Sequence, residues 1–160
     1  MKAASVKQLK DELKHKSPKE LTELVLRLSK FKKENKELLT YLLFEADNEF
    51  EYVAIVKEEV VEQFAEINNY SFYTIKKAVR KILRNLKKHI RYSGKKETEV
   101  ELLVHFCECL INYSPRIKSS HTMMNIFDKQ LEIAGKKIKY LHEDLQHDYT
   151  REIERVMELA

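Results

Sequence analysis

The sequence predicts an all-α fold: one domain of seven or eight helices, paired antiparallel as a bundle or a short HEAT-like α-solenoid. Three observations predict it. Only two Gly and two Pro occur in 160 residues, so the chain is poor in the residues that make turns and break helices. Lys, Glu and Leu dominate and 35% of residues are charged, which is a composition of good helix formers. Apolar residues recur at spacings of three and four, and no run of five or more alternates apolar with polar as a half-buried strand would. A chain of this length buries roughly 70% of the surface its unfolded form exposes, so a single domain is expected over 1–160. The connections are short, which places neighbouring helices antiparallel.

Ser5 opens the first helix with Gln8 three residues on, the spacing at which cap and side chain satisfy each other's backbone, and Val6, Leu9 and Leu13 form its apolar stripe. Lys16-Ser17-Pro18-Lys19-Glu20 ends that helix and starts a second. Ser17 caps it, Pro18 sits at N1 where its missing N–H costs nothing, and Glu20 closes the box. Leu21, Leu24, Val25, Leu28 and Phe31 are expected inward. A third helix runs from about Glu34 through Leu38, Leu39, Leu42 and Leu43 to Ala46. Asp47-Asn48 caps a fourth helix over 49–67, with Tyr52, Val53, Val56, Val60, Phe64 and Ile67 inward and an acidic outer face. Between Glu45 and Glu66 there are eight acidic side chains against Lys57 alone.

Asn68-Asn69-Tyr70-Ser71 is read as the next turn, with Ser71 capping a fifth helix over 72–92 and Gly94 ending it in a left-handed conformation. A sixth helix, about Glu97 to Asn112, turns Val100, Leu103, Val104, Cys107, Leu110 and Ile111 inward and stops before Ser114-Pro115. After a polar loop, Thr122 caps a seventh helix that runs through Leu145, and Asp148 opens a short eighth with Ile153, Val156 and Met157 inward.

At the N-terminus, Ser5-Val6-Lys7-Gln8-Leu9-Lys10, Leu13-Lys14, Ser17-Pro18-Lys19-Glu20-Leu21 and Lys36-Glu37-Leu38-Leu39 together resemble the opening of a family of small, uncharacterised bacterial helical proteins, a domain of unknown function. The resemblance covers the first quarter of the chain. It implies a capped helical hairpin in a bacterial cytosolic setting and supplies no catalytic residue.

Residues 1–13 hold lysines without an apolar stretch of seven or more behind them, unlike a secretory signal, so a cytoplasmic location is expected. The longest apolar-rich stretch, Leu38 to Phe44, is broken by Thr40 and is far short of the roughly 20 residues a spanning helix requires. No membrane insertion is expected. Cys107 and Cys109 lie about 200° apart around one helix and cannot easily bridge each other, which fits a reducing compartment.

Four-helix bundles can hold two metal ions through paired Glu-x-x-His motifs. Glu12-x-x-His15 has that spacing and Asp144-x-x-His147 nearly so, but both stand at charged helix ends and read as exposed coincidences. Glu101, His105 and Cys109 recur at i, i+4 and i+8 with Glu108 close by, which makes them the best candidate metal ligands, with His142 and His147 as potential partners. The competing reading is a partly buried His105 beside a solvated acidic edge. No Gly-x-Ser-x-Gly motif or phosphate-binding glycine loop occurs, so no enzyme activity and no cofactor is expected.

The most one-sided stretch lies between Phe72 and Lys96, with ten Lys or Arg and no Asp or Glu. At about 100° per residue, Lys76, Lys77, Arg80, Lys81, Arg84, Lys87, Lys88 and Arg91 fall within an arc of roughly 140°. Phe72, Ile75, Ala78, Val79, Ile82, Leu83, Leu86 and Ile90 occupy the opposite arc, as in a folded amphipathic helix. Three functions fit. The basic face balances the acidic helix beside it and the two serve a protein partner or self-association. Alternatively these residues, with Lys95 and Lys96, contact nucleic-acid phosphates without sequence choice, Tyr73 and Tyr92 near the flanks stacking on bases. A third reading is an anionic protein or membrane surface. The first, an interaction or scaffold module, is the leading expectation.

Overall fold

The computed structural model describes residues 2–68 and 71–160, so Asn69 and Tyr70 of the expected turn lie outside the described residues. All described regular structure is helical: α1 (Val6–Leu13), α2 (Pro18–Phe31), α3 (Lys33–Thr40), a π-helical segment Tyr41–Glu45, α4 (Glu49–Ala65), α5 (Phe72–Ser93), α6 (Lys96–Tyr113), α7 (Pro115–Lys118), α8 (His121–Ile138) and α9 (Glu143–Glu158). The helices group by packing into two compact units, Met1–Phe44 and Glu45–Ala160.

In the first unit the expected caps form. The Ser5 hydroxyl accepts from the Gln8 N–H and the Ser17 hydroxyl from the Glu20 N–H, while the Glu20 carboxylate accepts from the Ser17 N–H at 2.8 Å. That backbone bond holds the Glu20 carboxyl below its usual range. Helices α2 and α3 pack together, and the Asn35 side-chain amide donates to the Leu28 carbonyl across their junction. The stripe expected inward is not buried here. Val6, Leu28 and Phe31 are 82%, 61% and 77% exposed, and α1, α2 and α3 bury no residue. Three short helices with one substantial packing contact among them cannot enclose a core. Among the described residues of this unit only Tyr41 is buried.

The second unit is a bundle around α6. This helix buries Val100, Leu102, Leu103, Val104, Phe106, Cys107, Leu110 and Ile111, residues that span an arc of about 200° at 100° per residue, with Glu101, His105 and Glu108 half-buried on the remaining side. It packs against α4, α5, α7, α8 and α9. Paired atoms give the directions. Glu49 meets Ser93 while Gln63 meets Asn85, so α4 and α5 are antiparallel, and Glu99–Lys137 with Cys107–Phe127 makes α6 and α8 antiparallel too. Tyr149 and Arg155 of α9 reach Glu101 and Glu108 in the same order, so α9 runs parallel to α6.

Three boundaries differ from the sequence reading. Ser114 and Pro115 do more than stop α6: Ser114 caps the one-turn helix α7, and its Ile117 is buried where a polar loop was expected. Ser120, not Thr122, caps α8, its hydroxyl accepting from the Met123 N–H. The following helix breaks over residues 139–142 instead of near Leu145, and α9 is a full 16 residues starting at Glu143. Glu143 and Asp144 in its first turn suit the positive end of the helix dipole. With α7 included, nine α-helices are described in place of seven or eight.

Phe106 is completely buried and touches Phe64 of α4 at 5.8 Å between ring centroids. Truncation to Ala leaves a cavity the surroundings fill only in part, costing about 3–5 kcal/mol. Urea unfolding should show that loss for Phe106→Ala and less than about 0.5 kcal/mol for an exposed control, Lys81→Ala.

Candidate functional site

Helix α5 has two faces with opposite fates. Ile75, Val79, Ile82, Leu86 and Ile90 are buried, each contributing about 1.5–3 kcal/mol. Surface ion pairs contribute about 0–1 kcal/mol each, so the apolar face fixes the rotation of α5 and the cations point wherever that leaves them. The ends are fixed as well. Ser71 accepts from the Thr74 N–H, and Gly94, at φ 67°, closes the helix with its N–H on the Ile90 carbonyl. Glu49 then ties the turn down, accepting from the Ser93 and Thr98 hydroxyls at 2.5 Å each and pairing with Lys95 at 3.0 Å.

The basic face is left open. Lys77, Arg80, Lys81, Arg84 and Arg91 are exposed, and Lys76, Lys87 and Lys88 are half-buried. Among the described residues, Lys76, Lys77, Arg80, Lys81, Arg84, Lys87 and Arg91 form no ion pair. The acidic helix does not cover them. Its contacts with α5 are on the flank: Tyr52 donates to the His89 carbonyl, Glu59 lies 3.4 Å from His89, and Gln63 meets Asn85. Glu58, Glu62 and Glu66 stay exposed or half-exposed at its outer side, also without ion pairs among the described residues.

Tyr73, Lys76, Lys77, Arg80 and Arg84 line a shallow concavity of about 440 Å³. Tyr73 is 76% exposed. A second, of about 460 Å³, shares Lys76 and adds Phe72, Arg116 and residues 119–122. The Lys76 ammonium sits 4.9 Å from the Phe72 ring centroid, a cation–π contact between the two. Positive charge continues on the other side: burial and the neighbouring Lys129 push the Lys87 pKa down, against the pull of Glu99. Of the remaining candidates, Lys95 is paired with Glu49, Lys96 rests 4.4 Å from the Tyr140 ring centroid, and Tyr92 packs edge-on to His89.

The metal candidates meet a different environment. Glu101 pairs with Lys57 at 2.5 Å and accepts from the Tyr149 hydroxyl at 3.2 Å. His105 Nε2 lies 3.2 Å from the Lys57 carbonyl, and since a carbonyl only accepts, Nε2 donates there and is not open to a metal. Cys109, 3.5 Å from the same nitrogen, has its thiol pushed up to about 11 by burial and Glu108. No group of three or more His, Cys, Asp or Glu suited to a metal exists among the described residues. The geometry instead forms a 250 Å³ pocket lined by Lys57, Glu101, His105, Glu108 and Tyr149 among others, in which Lys57 and Tyr149 both engage Glu101 and the Lys57 carbonyl meets His105. Glu108 is held below its usual range by Arg155. Cys107 is buried against α8 with its thiol pushed far above the ordinary range. Glu12 and His15 are both exposed, as are Asp144 and His147.

No helix among the described residues is long and apolar enough to cross a membrane. No family model, curated protein or solved structure matches the chain.

Two outcomes test this site. Stoichiometric zinc or iron should leave the melting temperature of the metal-free protein unchanged, and a rise of several degrees would show a ligand set after all. Burial lowers the His105 pKa below 6.5, opposed by Glu101, Glu108 and the Lys57 carbonyl. Below about 6.5 the unfolded chain therefore binds more protons than the folded one, and stability falls with pH. Thermal melts between pH 7.5 and 5.5 should show a smaller loss for His105→Gln, which keeps an N–H donor, than for the wild type.

Proposed function

We propose that this protein is a binding module, not a catalyst, and that α5 holds the phosphate backbone of nucleic acid. The observation that carries the reading is the row of seven cations on α5 that lacks ion pairs among the described residues. Same-sign charges held together repel, and an anionic chain relieves that repulsion while releasing its own counterions. Arg adds planar, forked donors suited to phosphate oxygens, and Arg80, Arg84 and Arg91 lie within about 40° of one another around α5. Such contacts hold a backbone and do not select sequence.

A second reading rests on α4. Glu58, Glu62 and Glu66 also lack ion pairs among the described residues, so the acidic face of one copy could meet the basic face of another.

Heparin or DNA chromatography at about 0.1 M salt tests the first reading. Wild type should be retained, and a variant carrying Lys76→Glu, Arg80→Glu, Arg84→Glu and Lys87→Glu should flow through with an unchanged helical spectrum. Failure of the wild type to bind removes nucleic acid as the partner. If the wild type instead forms a concentration-dependent dimer that the variant abolishes in sedimentation, the acidic face is the partner.

A further inference from the structure

We propose that the nucleic acid held on α5 is single-stranded and that Tyr73 stacks on one of its bases. This rests on the phosphate-binding reading above and adds the form of the ligand. Tyr73 lies in the middle of the basic arc, about 60° from Lys76 and 20° from Arg80 at 100° per residue. It shares one concavity with Lys76, Lys77, Arg80 and Arg84, and its ring is 76% exposed. A large aromatic ring standing in water among cations lacks the packing that normally retains such a residue at a surface. Beside a phosphate track it offers what a strand with free bases uses, a flat face for stacking next to positive charge.

Geometry favours the single strand over the duplex. A helix of 22 residues is about 33 Å long, against a major groove about 12 Å wide. Lying along a duplex, so straight a row meets the curved backbone at few points. Entering the groove end-on, it would bring only its first turns to the bases. In a duplex those bases are also stacked on each other, so the Tyr73 face has nothing to cover. An extended strand can follow the row instead, meeting a cation at every helical turn of about 5.4 Å through Lys76, Arg80, Arg84, Lys87 and Arg91. At the Tyr73 end the track does not stop. The second concavity adjoins at Lys76 and brings in Arg116, which is exposed and without an ion pair among the described residues. The strand therefore has room to pass Tyr73 on both sides, which stacking within a chain requires.

Fluorescence anisotropy with labelled oligothymidine of about 20 nucleotides and a duplex of equal length tests this in low salt, with heparin retention run in parallel. Wild type should bind the single strand more tightly than the duplex. Tyr73→Ala should weaken single-strand binding about five- to hundredfold, the loss of one stacked base, with heparin retention unchanged, and Tyr73→Phe should restore it. Equal affinity for both forms, or no loss in Tyr73→Ala, overturns the single-strand inference while leaving phosphate binding intact. Absence of binding to oligothymidine, duplex and heparin alike overturns the reading beneath it.

Discussion

Enclosure of α6 is the constraint on which the second unit depends. A helix buried over an arc of about 200° needs several neighbours, and α4, α5, α7, α8 and α9 are those neighbours. Each must turn its apolar stripe toward α6, which sets its rotation and leaves its opposite face to solvent. For α5 that opposite face is a continuous row of cations. Burial of five aliphatic side chains outweighs what a few surface ion pairs could return, so the charge is displayed by default. The same hierarchy explains why the acidic and basic helices lie side by side while Lys76, Lys77, Arg80, Lys81, Arg84, Lys87 and Arg91 form no ion pair among the described residues. Their antiparallel contact is made by Tyr52, Glu59 and Gln63 on one side and His89 and Asn85 on the other.

Polar residues of the bundle act as local ties. Glu49 joins the start of α4 to the end of α5 and the start of α6. The Lys57, Glu101, Tyr149 and His105 set joins α4, α6 and α9. Glu99, the acid that acts on Lys87, is itself paired with Lys137 of α8. The set around His105 also shows why spacing is a weak guide to metal binding: Glu101, His105 and Cys109 do share a face, but Glu101 and His105 meet partners on other helices that the spacing does not reveal.

Much of the second unit was legible in the sequence. Five of the eight residues assigned to the apolar arc of α5, and five of the six assigned to α4, are buried as the 3.6-residue period requires, with Phe72, Ala78 and Leu83 half-buried, and Ser71 and Gly94 cap as their chemistry dictates. The breadth of the buried face of α6 was legible only in part, because Leu102 and Phe106 extend it about 80° beyond the stripe the other inward residues form. The boundary between α8 and α9 was missed since Leu141 and Leu145 continue the apolar period across a break that carries neither Gly nor Pro. The first unit was misread for a related reason: periodicity shows that Leu24, Val25 and Leu28 share a face, not that anything covers it. Of the candidate site, the cationic arc could be read directly. Its freedom from the acidic helix could not, because it depends on which flank of α4 meets α5, and the place of Tyr73 within the concavity depends on the fold as well.

The salt dependence of affinity for a single-stranded oligonucleotide tests the displayed cationic row most directly. Four or more phosphate contacts predict that log K falls with log salt at a slope of about −3 or steeper, and that the slope shallows by roughly 0.7 for each of Lys77, Arg80 and Arg84 replaced by Gln. An affinity that stays flat in salt, or a slope indifferent to these replacements, would contradict the account.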